Sequence, residues 1–489
     1  MSEILALGLF ASTILVVLLG FPIAFSLAGI SLIFAFIGNV LGQFDFSLFT
    51  ALVSRYSYQM INETFVAVPL FIFMGVMLEK SRIAENLLQT MGQLFGSLRG
   101  GLGFSVVIVG ALLAASTGIV GATVVTMGLL SLPAMLKAKY DPKLATGIIC
   151  ASGTLGQIIP PSTVLIFMAD FIQTANSTAQ ANKGNLTPEP VSVGDLFVGA
   201  IIPGFLLVAF YMLWVLYKSV FHPDSAPALI VTKEERKNLP RQVIKAIIPP
   251  LLLIIAVLGS IIMGFATPTE SASVGAIGAV LLAILKRQFS WSMLRQTTRQ
   301  TLKISSMVFV ILLGASVFSL VFRGLQGEVI VEDFLSALPG GKYGAIFAVM
   351  LLMFLLGFFL DTFEIIFIVV PITAPILLAF DGVSPVWLGV IMAVNLQTSF
   401  LTPPFGFSLF YLRGVAPKSV MTSDIYRGII PFVSLQVIAI IFLVAFPELT
   451  TWLPDIVYRE EYIAPEFDPS RDIMFPGDEL LNDNLIPDF

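Results

Sequence analysis

Apolar stretches recur along the chain from Ile4 to Phe446 and are separated by short polar segments. Many of them approach the roughly 20 residues that a helix needs to cross the hydrocarbon core of a bilayer. The pattern predicts an all-α polytopic membrane protein whose length is filled by spans rather than by soluble domains. The stretch from Ile4 to Leu19 lacks a basic leading segment and a clear cleavage site, so we interpret it as a retained first span and not as a signal peptide.

The interruptions follow a repeat. Gly20-Phe21 precedes an apolar span, and Gly264-Phe265 precedes another span 244 residues later. Further landmarks keep similar offsets, between 228 and 243, with the smallest value explained by a longer polar loop in the first half: Met74-Gly75 and Leu313-Gly314, Pro133 and Pro375, Pro160-Pro161 and Pro403-Pro404, and Ile201 to Pro203 with Ile429 to Pro431. The chain is therefore predicted to contain two related halves.

Each half reads as three spans, a re-entrant hairpin, a span broken by twin prolines and a final span. Five crossings per half would place the second half upside down relative to the first, which is the inverted-repeat arrangement of many secondary transporters. The predicted divisions are a first inverted repeat at 1–218 with hairpin 103–135 and broken helix 144–170, a cytoplasmic linker at 219–245, a second inverted repeat at 246–446 with hairpin 343–378 and broken helix 387–412, and an acidic periplasmic tail at 447–489.

Charge supports one orientation. If the N-terminus is outside, 20 of the 26 Lys and Arg residues fall in cytoplasmic segments, as expected for an inner-membrane protein. The tail after Phe446, with 11 Asp and Glu residues against two Arg residues, then lies outside. The sequence predicts a multi-pass protein of the bacterial inner membrane with both termini in the periplasm.

Composition excludes most other classes. Of 489 residues 57% are hydrophobic and 12% are charged, against about a quarter charged in a soluble domain. A single Cys and a single His exclude an internal disulfide and an imidazole metal cluster. There is no HExxH sequence, nucleophile elbow or phosphate-binding glycine loop. We therefore expect neither an enzyme nor an ATP-driven pump, and no nucleic-acid partner.

The breaks in the spans carry the candidate site, because non-helical backbone at membrane depth must be buried in protein or line a cavity. Paired half-helices direct amide ends at an anion and carbonyl ends at a cation, so the four breaks predict two Na⁺ sites with an organic-anion site between them. The predicted substrate-binding residues are Ser116, Thr117, Gly118, Ser162, Asp361, Thr362 and Thr402. The predicted Na⁺ ligands come from Ser152, Gly153, Gly156, Gly121, Gly357, Asn395, Thr398 and Pro403.

Structural alternatives stay open at these positions. The small residues of the first hairpin tip could serve helix packing, and the prolines could simply kink packed spans. Glu270, and Asp361 with Glu364, stand where carboxylates cap helix amides as readily as they bind a ligand. The segment from Glu79 to Gly101 is predicted to form either an amphipathic helix in contact with membrane lipid or an ordinary connecting helix.

Several linked motifs resemble one family. They are Gly20 to Phe25, Val68 to Gly75, Ile159 to Ser162, Phe265 to Glu270 and Leu401 to Pro404. In this respect the chain resembles the large, DctM-like membrane subunit of tripartite ATP-independent periplasmic (TRAP) transporters. The resemblance implies an elevator mechanism driven by Na⁺, a small four-helix membrane subunit and a periplasmic substrate-binding protein. Thr117, Gly118 and Thr123 depart from the Gly-, Ser- and Asp-rich hairpin tip of that family, and Thr362 stands where many relatives have proline.

We therefore expect the large permease subunit of a Na⁺-coupled importer of a small organic acid. The long outer loop and the acidic tail are similar to the family branch that handles 2-oxo acids, lactate and related carboxylates. The alternative is a proton-translocating subunit of an antiporter or respiratory complex. Such a subunit needs a chain of intramembrane Lys, Glu and His residues, and the span interiors here contain no Lys and no His.

Overall fold

A computed structural model describes residues 1–81, 83–117, 120–185, 187–228 and 233–459, and within these ranges all regular structure is helical. The first half forms α1 Ser2–Leu18, α2 Ile23–Val40, α3 Thr50–Ile61, α4 Glu63–Lys80, α5 Ile83–Phe95, α6 Gly101–Thr117, α7 Val120–Lys137, α8 Pro142–Thr154, α9 Thr163–Asn182 and α10 Val193–Phe221. The second half forms α11 Lys233–Ile262, α12 Pro268–Leu285, α13 Trp291–Gly324, α14 Gly327–Ser336, α15 Gly341–Leu356, α16 Thr362–Ala379, α17 Pro385–Leu401, α18 Phe407–Val415, α19 Thr422–Ala445 and α20 Glu448–Pro454.

The prediction of an all-α polytopic membrane protein is confirmed. Among the described residues, eight helices are long and apolar enough to cross a membrane, or nine if the pair Phe46–Ile61 and Glu63–Lys80, bent by 49°, counts as one span. Four shorter apolar helices, α1, α6, α15 and α17, fall below that length. Three of them belong to the predicted hairpins and broken spans, where full-length helices are not expected.

Local signals explain where the helices start. Asn62 bends the chain between α3 and α4 and caps α4, since its side chain accepts a hydrogen bond from the Thr64 amide at 3.0 Å. At α12 the Thr267 amide donates to Glu270 Oε2 at 2.8 Å, and the Glu270 amide donates to Thr267 Oγ1. This reciprocal pair is a capping box. Of the two roles that the sequence left open for Glu270, helix capping and ligand binding, the structure shows helix capping.

The segments outside the predicted repeats are partly helical. Helix α5 buries Ile83, Leu87 and Met91 against α6 and α11, as a packed connecting helix does. Helices α10 and α11 extend into the stretch predicted as linker, 219–245. The first part of the predicted tail forms α20, which packs on α10, with the Thr450 carbonyl close to Gly199. Residues 460–489 of the tail lie outside the described residues.

Equivalent helices of the two halves pack reciprocally. Helix α4 packs against α12, and their counterparts by the sequence offset, α13 and α2, pack against each other. In the same way α9 packs against α16, and their counterparts α18 and α7 pack against each other. These contacts join the halves into one helical bundle, whereas α1 with α2 and α11 with α12 are equivalent contacts inside each half. The inverted orientation of the second half and the exact domain limits stay predictions.

Candidate functional site

Both broken spans leave the helical path at their twin prolines. In the first, α8 ends at Thr154, a 3₁₀ turn covers Leu155–Gln157, and α9 starts at Thr163. In the second, α17 ends at Leu401 and α18 starts at Phe407. Proline cannot donate the helical hydrogen bond and clashes with the preceding turn, which explains why each span stops here. The first pair of prolines is buried, whereas Pro404 of the second pair is exposed.

The two broken spans touch at equivalent positions. Gln397 Nε2 donates to Thr154 Oγ1 at 3.3 Å, and these residues are 243 positions apart, the same offset that relates the twin prolines. Both side chains are fully buried. Contact between equivalent residues is expected close to an axis of pseudosymmetry, so the centre of the molecule lies between α8 and α17.

A second contact ties the first broken span to the second hairpin. Gln157 Nε2 donates to Thr362 Oγ1 at 2.8 Å. The Gln157 carbonyl also accepts from Ser162 Oγ at 2.8 Å. The structure thus brings together two of the predicted substrate-binding residues, Ser162 and Thr362, through a glutamine that was not among them. The signal for Gln157 was an amide side chain three residues ahead of the twin prolines in an apolar segment.

Carboxylates at the start of α16 form a cap. The Thr362 amide donates to Asp361 Oδ1 at 2.6 Å, and the Asp361 amide donates to Glu364 Oε2 at 2.7 Å. The geometry is a capping box, one of the two roles left open for this pair. The cap also places the two carboxylates one and two residues from Thr362 and its contact with Gln157.

Two predicted Na⁺ ligands on α17, Asn395 and Thr398, and the predicted substrate-binding residue Thr402 directly after it use their side chains within the fold. Asn395 Nδ2 donates to the Met350 carbonyl of α15 at 2.7 Å. Thr398 Oγ1 donates to the Val394 carbonyl, and Thr402 Oγ1 donates to the Thr398 carbonyl, at 2.9 and 2.8 Å. These bonds use the single donor of each threonine hydroxyl and one of the two N–H donors of Asn395, and they leave oxygen lone pairs that can still accept or coordinate. Pro403 lies half-buried in the gap that follows.

The glycines among the predicted ligands lie at close approaches between elements. Gly153 meets Val124 of α7, and Gly121 meets the Tyr411 ring, where an added Cβ would stand 2.9 Å from a ring carbon. A Cβ on Gly156 would lie 3.5 Å from Ala114, whereas Gly357 has no room for one against Ser399. Positions 114 and 357, and 156 and 399, are again 243 apart. In both halves the hairpin therefore contacts the broken span at equivalent positions. The glycine belongs to the broken span in the first half, as Gly156, and to the hairpin in the second half, as Gly357.

Three buried oxygens around the breaks have no hydrogen-bond partner among the described residues: Ser152 Oγ, Gln157 Oε1 and Gln397 Oε1. An unsatisfied buried polar atom costs about 1–3 kcal/mol and requires an explanation such as water or a bound ion. All three oxygens lie on α8, on α17 or in the first break. Gln397 was part of the polar segment noted in the sequence, but it was not assigned to the site.

The tip of the first hairpin is the least described part of the site. Ser116 and Thr117 are the last residues of α6, and their side chains lie outside the described residues, as does Gly118. Thr123, at the start of α7, is buried. The predicted roles of Ser116, Thr117 and Gly118 stay predictions.

Comparison with known proteins gives the family. The family model "Tripartite ATP-independent periplasmic transporter, DctM component" matches residues 10–449. The chain is similar to the C4-dicarboxylate TRAP transporter large permease protein DctM of Vibrio cholerae, with 29% identity over 93% of this chain and 99% of that protein. It is also similar to the ectoine TRAP transporter large permease protein TeaC of Halomonas elongata, with 26% identity over 92% and 99%.

A solved structure shares the fold. The Alcanivorax borkumensis YdaH transporter, described as having an unusual topology, aligns with a TM-score of 0.58 at 16% identity, over 83% of this chain and 88% of that chain. The relatives are transporter permeases and not enzymes, as the sequence predicted. The family resemblance seen in the motifs is confirmed, and the chain belongs to the DctM family of large permease components of multi-pass TRAP transporters.

Proposed function

We propose that this permease imports a small organic acid, a 2-oxo or hydroxy acid, in symport with Na⁺ after delivery by a periplasmic binding protein. The observation that carries the proposal is that both broken spans and the second hairpin are joined through Gln157 and Gln397, whose buried Oε1 atoms lack a partner among the described residues, as does Ser152 Oγ on α8. Buried acceptors of this kind call for water or a bound ion.

Oxygen acceptors suit the proposed cation. Unwound carbonyls and half-helix C-terminal ends coordinate Na⁺ in secondary transporters, and α8 and α17 both end at this centre. Ser152 on α8 and Asn395 on α17 occupy equivalent positions. We assign one Na⁺ to each, the first with Gly153, Gly156 and Gly121, the second with Gly357, Thr398 and Pro403, acting mainly through backbone carbonyls.

The proposed anion site faces the start of α9. Ser162 is the residue before this helix, but its hydroxyl donates to the Gln157 carbonyl and does not cap the helix. A helix N-terminus without a side-chain cap favours a negative charge. We place the substrate carboxylate here, with Thr362 and Thr402 beside it. By contrast, α16 already carries its own carboxylate cap, Asp361 with Glu364.

The family context completes the proposal. TRAP large permeases are expected to work with a small membrane subunit and a binding protein, and we propose both as separate partners. We propose that the chain lies in the bacterial inner membrane with both termini in the periplasm. The hairpins and broken spans would slide as a unit against the remaining helices, and exposed apolar residues on α2 and α12, such as Phe36 and Ile277, would face lipid or the small subunit.

The test is uptake of labelled 2-oxo acids, hydroxy acids and dicarboxylates into proteoliposomes that contain the chain, the small subunit and the binding protein. Na⁺-driven uptake that needs the binding protein is the expected result. Uptake driven equally by a proton gradient without Na⁺ would overturn the coupling ion and point to the buried Glu364 as a protonation site. No uptake of any carboxylate would overturn the substrate class.

A further inference from the structure

A polar cavity lies away from the candidate site. It has a volume of about 310 Å³ and lies between α3, α9, α13 and α16, where its polar lining includes Arg55, Tyr58, Gln59, Asp170, Ser316 and Arg323. We call it the outer cavity, since the predicted orientation puts it on the periplasmic side. Its volume is at the lower end of the range for small-molecule sites, which is about 300–1,000 Å³.

The two arginines of the outer cavity differ in their partners. Arg323 forms an ion pair with Glu328 and donates from Nη2 to the Pro371 carbonyl at 3.3 Å. Arg55 is half-buried, and within the described ranges it forms no hydrogen bond and no ion pair, while Glu328 and Arg323 act on it only electrostatically. A guanidinium presents a planar set of donors that matches a carboxylate, so Arg55 has its full donor set available for an anion.

The acidic group of the cavity is already satisfied. Asp170 Oδ1 accepts from Tyr58 at 3.0 Å and from Asn62 at 2.8 Å. Gln59 donates to Ser316 Oγ at 2.6 Å, while its own carbonyl oxygen is buried without a partner among the described residues. A small carboxylic acid would match this lining, with its carboxylate on Arg55.

Aromatic rings separate the outer cavity from the candidate site. Phe167 lies one turn beyond Thr163, and its ring centroid is 5.0 Å from that of Phe367 and 5.1 Å from that of Phe65. Phe65 and Phe367 also line the cavity, and Phe363 follows Thr362 directly. Asp170 is seven residues into α9, about 10 Å along the axis, so the cavity, the rings and the break follow one another along this helix.

We propose that the outer cavity is a carboxylate-binding site in which Arg55 holds the transported acid outside the aromatic layer before it reaches the break. The proposal rests on the proposed function for its ligand class. The proposal adds a second binding site on the transport path and makes Arg55 a residue that determines substrate specificity. Its test does not depend on transport, so the two proposals can fail separately.

The experiment labels the Thr174→Cys variant, whose exposed side chain lines the cavity, in right-side-out spheroplasts that carry the complete transporter. The single native cysteine, Cys150, is buried, and the chain without Thr174→Cys measures the background. Labelling rates are compared for an anionic sulfonate and a cationic ammonium methanethiosulfonate. We expect Arg55→Gln to lower the anionic-to-cationic rate ratio by roughly tenfold, Arg55→Lys to keep it, and Asp170→Asn to raise it.

Protection completes the test. Millimolar lactate, pyruvate or succinate should slow labelling of Thr174→Cys, and Arg55→Gln should remove that protection. Lys342→Gln, which removes an outer positive charge away from the cavity, is the matched control and should change neither result. The proposal is overturned if no carboxylate protects, if only the binding protein protects, which would indicate a protein-docking surface, or if the control acts like Arg55→Gln. Should Arg55→Gln fail to reach the membrane, Arg55→Lys and Asp170→Asn still decide through the rate ratio.

Discussion

Gln157 joins the first broken span to the second hairpin by a side-chain hydrogen bond to Thr362. Replacing it with leucine removes the bond to Thr362 and the unpaired oxygen while keeping a similar volume. A neutral hydrogen bond contributes about 1 kcal/mol, so we expect Gln157→Leu to raise the half-saturating concentration of substrate by roughly fivefold or more. Uptake kinetics with the reconstituted transporter measure this shift.

The matched control for this variant is Gln173→Leu, the same substitution on α9. The Gln173 side chain accepts a hydrogen bond from the Val191 amide in the outer loop, away from the break. It should leave the substrate dependence unchanged. If Gln157→Leu shows the same substrate and Na⁺ activation curves as the unaltered chain, Gln157 has no part in the site.

Gly357 and Ser399 offer a test of packing at equivalent positions. Gly357 has no room for a Cβ against Ser399, while the first half places Ala114 against Gly156. Gly357→Ala alone should destabilise the protein by about 1–3 kcal/mol through overpacking. The double variant with Ser399→Gly rebuilds the pairing of the first half and should recover most of the loss. The measurement is the melting temperature in detergent, and a double variant no better than Gly357→Ala would contradict this account.

At the residue scale, the sequence could predict side chains that stand out in the local pattern, but not side chains whose role depends on a distant partner. Ser162 and Thr402 were predictable because they are polar residues beside twin prolines in apolar surroundings, and Thr362 because it stands in the polar break of the second hairpin. Gln157 and Gln397 stood in the same segments, but their importance depends on contacts with Thr362 and Thr154, each more than 200 residues away. No local pattern encodes such a contact. The predicted glycines turned out to lie at close helix approaches, which composition cannot separate from ligand binding.

At the scale of elements, the breaks follow from proline chemistry. Pro160 lies buried between the 3₁₀ turn after α8 and the start of α9. Pro160→Ala restores a backbone donor and should extend the helix toward the gap, thereby moving carbonyls away from the proposed ion site. We expect normal membrane insertion with uptake reduced by roughly tenfold or more. Pro203→Ala, in the unbroken helix α10, should leave uptake nearly unchanged.

Insertion and uptake are measured on the same preparations, so that a loss of protein is not mistaken for a loss of transport. Normal uptake by Pro160→Ala and by the equivalent Pro403→Ala would show that the breaks are only kinks. The order of helices in both halves was predictable because periodicity and proline are local signals. The 34-residue length of α13 could not be predicted in this way, because the equivalent segment of the first half is bent at Asn62 between α3 and α4.

At the scale of the molecule, two kinds of contact can be distinguished. The pairs α4 with α12 and α2 with α13 join three-span units of the two halves, whereas Tyr58 and Asn62 reach across to Asp170 on the broken span. Two further contacts of this kind are equivalent to each other. Glu79 accepts a hydrogen bond from Thr126 of the first hairpin at 3.3 Å, and Arg323, 244 residues later, donates to the Pro371 carbonyl of the second hairpin. Among the described residues, the polar contacts at Glu79 and Arg323 thus lie at equivalent positions, whereas the contacts of Tyr58 and Asn62 with Asp170 occur in the first half alone.

If the transport unit slides, these crossing contacts must break in each cycle, while contacts inside the scaffold persist. Cross-linking Tyr58→Cys to Asp170→Cys with a short bifunctional methanethiosulfonate should therefore abolish uptake until a reductant is added. The native side chains meet at 3.0 Å, but the length of the tyrosine side chain keeps the two backbones too far apart for a direct disulfide. The control pair, Met74→Cys with Gly275→Cys, joins α4 to α12 at a close approach and should leave uptake intact when cross-linked. Because each cross-link joins two helices, only relative motion between the two units distinguishes them. Full uptake with a completely formed cross-link between positions 58 and 170 would show that transport proceeds without this displacement.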